Sequence, residues 1–130
     1  MNVMADSDGA LIGDKTLDQL IGVTGTTAQT HAPGAATAAV VTFTGVAGKR
    51  WVLRQAEWSY DADPTGGNLK VENVAGTTVF QVAVTKSGPG FIKFEPPIVG
   101  DNAASVIVTL ASGAGAVVGK VNARAFKVKG

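Results

Sequence analysis

From Ala38 onward, apolar and polar residues alternate in short runs separated by Gly- and Pro-containing turns. Leu69 and Val71 alternate with Lys70 and Glu72, and Phe80, Val82 and Val84 alternate with Gln81 and Ala83. Val106, Val108 and Leu110 alternate with Ser105, Ile107 and Thr109. Successive side chains on a strand point to opposite faces, so each run can bury one face and expose the other. The pattern predicts seven strands, at residues 38–44, 49–60, 68–74, 77–85, 91–95, 103–110 and 117–128. Several short strands at regular spacing with turn signals between them read as a β-sandwich or barrel.

The longest run, 49–60, changes parity along its length. Trp51 and Leu53 share one parity, while Trp58 and Tyr60 share the other. A bulge near Gln55 and Ala56 would swap the faces. Without it, Trp51 and Trp58 point to opposite sides. The turns are strongly marked. Asp61 to Gly67 (DADPTGG) and Lys86 to Gly90 (KSGPG) both combine proline with glycine, which fixes a chain reversal. Pro96 and Pro97 are expected to end the strand at 91–95, because proline cannot donate to a ladder.

Residues 1–37 differ in texture. They are rich in Gly, Thr, Ala and Asp, with one apolar segment at Leu17, Leu20 and Ile21. Those three fall at i, i+3 and i+4, one face of a short helix that Asp14 or Thr16 could cap. Such a short helix needs something to pack on. We read 1–37 as an N-terminal arm, partly extended and ordered by contact, and 38–130 as the sandwich. If part of the arm adds a strand, the count becomes eight. Eight antiparallel strands in two packed sheets is a jelly roll, so the expected fold is all-β, an antiparallel β-sandwich of seven or eight strands with an extended arm.

Composition narrows the function classes. At 130 residues, one domain is expected, large enough to bury a core without staples. Cysteine is absent, which rules out disulfides, thiolate metal sites and a cysteine nucleophile. The formal net charge is +1 with only 16% charged residues, against the basic excess that phosphate contacts demand, so no nucleic-acid partner is expected. No apolar run approaches the roughly 20 residues of a membrane span, and no basic-then-apolar leader opens the chain. A protein made in a cytoplasm, without a membrane partner, is the expectation. Charge is nonetheless uneven. Asp6, Asp8, Asp14 and Asp18 face Lys15 alone in residues 1–48, whereas the last strand carries Lys120, Arg124, Lys127 and Lys129 without an acid. These are two solvated ends, or an acidic arm that meets a basic strand on a neighbouring copy.

Candidate chemistry is sparse. His31 is the single histidine and stands in the polar arm, too few ligands for a metal site. Asp61 and Asp63 flank a proline turn and are expected to cap it; they and the Asp101–Asn102 pair lack the extra oxygen ligands of a calcium loop. The Gly113 to Gly119 stretch (GAGAVVG) is followed by strand, not by the helix that a nucleotide loop requires. Neither catalytic residues nor a cofactor is expected. Trp51, Trp58 and Tyr60 are read as core or subunit-interface anchors, the alternative being a platform that stacks on sugar rings.

Three segments, VAGKRWVLRQAEWSYDADPTGGNLKVEN, TTVFQVAVTKSGPGFIKFEPPI and ASVIVTLASGAGAVVGKVNARAF, together resemble small structural proteins of tailed bacteriophages. The likeness is to jelly-roll decoration, or cement, proteins that bind the outside of a capsid. It covers about two thirds of the chain and lies in strand texture and turns. The resemblance implies a non-enzymatic virion protein made in the host cytoplasm, a homotrimer whose partner is the major capsid protein. Interface residues are expected among Leu17, Leu20, Ile21, Trp58, Tyr60 and Arg124. The alternative is a carbohydrate- or receptor-binding sandwich of a head or tail fibre. Deleting residues 1–30 is expected to leave the domain folded while weakening capsid binding.

Overall fold

The computed structural model describes residues 26–130. They form eight strands: β1 (Thr27–His31), β2 (Ala39–Phe43), β3 (Lys49–Tyr60), β4 (Asn68–Asn73), β5 (Thr78–Ala83), β6 (Gly88–Val99), β7 (Val106–Leu110) and β8 (Gly119–Lys129). Two four-stranded sheets result, in the orders β1-β8-β3-β6 and β2-β7-β4-β5, with every pairing antiparallel. This is the expected eight-stranded, two-sheet jelly roll, with a strand order that the alternation alone left open.

The alternating residues fill the space between the sheets. Val106, Val108 and Leu110 of β7, Leu69 and Val71 of β4, and Val121, Ala123 and Ala125 of β8 are buried. Phe43 meets Trp51 with ring centroids 5.0 Å apart, and the Trp51 indole N–H donates to the Thr44 carbonyl at 2.8 Å. Among the described residues no polar or charged side chain is fully buried, so burial of apolar surface is what holds the sheets together.

The parity change in β3 is a bulge. Register shifts between Leu53 and Gln55 against both neighbouring strands; against β8, Arg54 is the extra residue, while on the β6 side residues 94–97 are the surplus. Trp51 and Leu53 before it, and Ala56 and Tyr60 after it, are thereby all buried. The bulge lies just before the Gln55–Ala56 position expected from the pattern.

The arm supplies the eighth strand that the sequence allowed, so the sandwich reaches back from Ala38 to Thr27: β1 pairs with β8 from Thr27 opposite Ala125 to His31 opposite Val121. β1 is an edge strand of mostly polar residues, none of them buried, so it carries no apolar alternation to betray it. A deletion of residues 1–30 would therefore remove most of a sheet strand. The strand expected to stop before Pro96 runs on through both prolines, but its ladder to β3 does lapse there: residues 94–97 bulge out between Lys93, opposite Gln55, and Ile98, opposite Leu53, so neither proline owes a ladder bond.

The two sheets are tied at one flank and open at the other. On the closed side the His31 ring, itself exposed, accepts the Val40 N–H at Nδ1 over 2.9 Å, linking β1 to β2. On the other side β5 and β6 are both edge strands, bridged by the edge-to-face contact of Phe80 with Phe94 at 5.2 Å.

Candidate outer-face binding site

Antiparallel register sets the outer face of the β1-β8-β3-β6 sheet. One row across it reads Thr30, Asn122, Glu57 and Phe91; the next reads Lys120, Ser59 and Pro89. These residues line a shallow depression of about 400 Å³. Phe91 is 58% exposed, on the polar parity of a strand whose Phe94 faces the core. The Glu57 carboxylate is steadied by the Gln55 side-chain amide, which donates to it at 3.0 Å.

The inward row between these two holds Val121, Trp58 and Gly90. A Cβ on Gly90 would overlap the Trp58 indole. Glycine there lets the indole lie across β6, half-buried against the core, beneath the depression that residues 58 and 90 help to line.

The residues singled out from sequence separate. Tyr60 faces the core at 1% exposure, not a free surface, and its hydroxyl donates to the Ala111 carbonyl at 2.6 Å. Burial pushes its phenol above the usual tyrosine range. Trp58 borders the depression, while Arg124 is exposed on the same outer face, one row beyond it and opposite Gln55. Leu17, Leu20 and Ile21 lie outside the described residues. The turn acids bind backbone: Asp61 accepts the Val118 N–H at 2.8 Å, and Asp63 accepts the Ser87 N–H at 2.7 Å. Those partners lie in other loops, not in the acids' own turn. The Ser87 hydrogen bond holds the exposed Asp63 carboxyl below the usual aspartate range, with Lys86 adding to it. Among the described residues no cluster of His, Asp or Glu is assembled that could hold a metal.

Sequence reasoning missed Glu57, Phe91 and Asn122 as a group. Phe91 carried a signal: it is an aromatic on the opposite parity from Ile92 and Phe94, an arrangement that leaves one ring outside. Its neighbours across the sheet depend on register, which no single strand reveals.

No protein-family model matches the chain, and no curated protein sequence matches it significantly. Several solved structures show a weak similarity to the chain. A subunit of Bacillus endospore appendages, a family of disulfide-linked pili, is 12% identical with a TM-score of 0.43, over 82% of this chain and 88% of that one. The CBM36-1 domain of a multidomain xylanase from the hindgut metagenome of Trinervitermes trinervoides is 9% identical with a TM-score of 0.44, over 82% and 98%. The virus-like particle of the giant freshwater prawn Macrobrachium rosenbergii extra small virus gives 11% identity and a TM-score of 0.35, over 100% and 96%. Likeness at this level assigns neither ancestry nor function.

Proposed function

We propose that this chain is a non-enzymatic structural protein of a virion, a decoration or cement protein that binds the major capsid protein on the outer surface of the shell as a homotrimer. The observation that supports it is the open β5–β6 flank. Four of the seven large apolar side chains exposed on the described surface, Val79, Val82, Phe91 and Val99, belong to these two strands. Apolar side chains gathered along one rim suit a protein contact better than solvent. The phage-protein resemblance of the sequence supplies the kind of partner.

The two edges suit different contacts. β6 carries Pro89, Pro96 and Pro97 together with Lys93 and Glu95, features that block strand addition. Its contacts are made by side chains. β5 has no proline and is exposed along nearly its whole length, so it is the edge able to accept an added strand. The acidic residues Asp6 to Asp18 complement the exposed Lys120, Arg124 and Lys129 of β8 on a neighbouring copy. A tethered contact of this kind raises the effective concentration of the next.

The test is to mix the full-length protein with capsids that lack it and to measure occupancy by sedimentation, alongside light scattering of the free protein. Saturable binding at a fixed ratio per capsid subunit is expected, reduced by Val79→Asp combined with Val99→Asp. Absence of binding to any shell, or undiminished binding of that double variant, would overturn the proposal.

A further inference from the structure

We propose that the depression on the outer face of the β1-β8-β3-β6 sheet is a saccharide-binding site, with the Phe91 ring as its stacking surface. This goes beyond the shell-binding role and does not rest on it.

A sugar ring has an apolar C–H face and a rim of hydroxyls, each of which both donates and accepts a hydrogen bond. The depression offers both halves of that chemistry. Phe91 presents a ring at 58% exposure, directly opposite Glu57 in the β3–β6 register. Glu57 supplies an acceptor held in place by Gln55. Lys120 supplies a donor, and Ser59 and Asn122 supply groups that do both. The side chains of Ser59, Lys120 and Asn122 make no hydrogen bond or ion pair with any other described residue.

Size agrees. A volume of about 400 Å³ falls inside the roughly 300–1,000 Å³ of small-molecule sites. Thr30 and Phe91 lie three strand spacings apart on one row, roughly 14 Å. That is room for a short oligosaccharide, not for one ring alone. The charge pattern argues against a phosphodiester, which accepts but cannot donate: Glu57 stands at the centre of the row and would repel it. It equally argues against a purely apolar ligand, which would desolvate Glu57 and Lys120 without replacing their hydrogen bonds.

The experiment applies the full-length chain to an array of immobilised neutral and uronic-acid oligosaccharides. The strongest binder is then titrated in solution while amide and Trp indole N–H resonances are followed. Expected are shifts confined to Glu57, Trp58, Phe91, Lys120 and Asn122. Phe91→Ala and Glu57→Gln should each weaken binding by about tenfold or more, a loss of about 1.4 kcal/mol. Phe91→Tyr, which keeps the ring, should retain it, and Val99→Asp should leave it unchanged. Far-UV circular dichroism checks that each variant is folded. Retention of no glycan on the array, equal affinity in folded Phe91→Ala, or shifts that fall elsewhere would each overturn the proposal. Glu57→Gln touches only the glycan reading, and the Val79→Asp, Val99→Asp pair touches only the capsid reading, so the two fail separately.

Discussion

The Tyr60 hydroxyl donates to the carbonyl oxygen of Ala111 over 2.6 Å, joining the end of β3 in one sheet to the chain leaving β7 in the other. The ring below it is buried, so this bond is the polar end of an otherwise apolar contact between the sheets. Tyr60→Phe keeps the packing and removes the donor, which is expected to cost about 1 kcal/mol in urea unfolding. The phenol is held protonated by burial, so its folded pKa lies above the unfolded value near 10.0. A raised pKa means that the folded state keeps a proton the unfolded state gives up. The associated stability is complete below pH 10.0 and is lost as pH rises through the folded value. Unfolding curves of the wild type and Tyr60→Phe should therefore converge as pH climbs above that point. Curves that stay parallel would show that Tyr60 ionises no differently when folded.

Gly90 and Trp58 form a second matched pair. The indole occupies the space where a Cβ on residue 90 would stand. Gly90→Ala is expected to destabilise by about 1–3 kcal/mol through overpacking, and to change the fluorescence of Trp58. Trp58→Leu in the same chain should recover part of that loss. A double-mutant cycle with no coupling between the two sites would contradict the packing described.

How much of this was legible in the sequence depends on what each residue has to touch. Val106, Val108 and Leu110 announce a core strand because both sheets bury them, and the strands carrying that signature were all readable. Residues 27–31 announce nothing, because an edge strand with polar residues needs only backbone hydrogen bonds to Val121 through Ala125. Pro96 and Pro97 misled for a related reason. They do interrupt the ladder, since residues 94–97 bulge away from β3, but the chain resumes pairing at Ile98, and that return depends on register across the sheet. The candidate site divides in the same way. The outward parity of Phe91 can be read locally, whereas its meeting with Glu57 and Asn122 is made by register across three strands. Tyr60, read as a core or interface anchor, stands in the core, a choice its parity alone left open.

Asp63 makes a separate prediction at acid pH. Its carboxylate is held by the Ser87 N–H and neighbours Lys86 at 3.9 Å. Its pKa is depressed below the ordinary 3.8, so the unfolded state binds a proton more readily than the folded one. The stability it contributes is present above pH 3.8 and is lost as pH falls through the lower, folded value. A carboxyl carbon titration by NMR should place the Asp63 midpoint below 3.8, and Ser87→Pro, which removes the N–H, should return it toward 3.8. A wild-type midpoint at or above 3.8 would refute the hydrogen bond as the cause.

Arg54 tests the architecture most severely. As the extra residue of the β3 bulge, it lets Trp51 and Leu53 on one side and Ala56 and Tyr60 on the other all face inward. Its own side chain is exposed, with the guanidinium 5.8 Å from the centre of the Phe126 ring. Two changes at this position therefore separate backbone from side chain. Arg54→Ala removes an exposed group and its ring contact, and should cost no more than about 1 kcal/mol. Deleting residue 54 shifts every following β3 residue by one, which sends either the first or the second aromatic half of the strand outward. That protein is expected not to reach a cooperative folded state, as judged by loss of a sigmoidal unfolding transition. If the deletion variant instead unfolds cooperatively at near wild-type denaturant concentration, the bulge is dispensable, and the parity switch cannot be what places both tryptophan-bearing halves of β3 against the core.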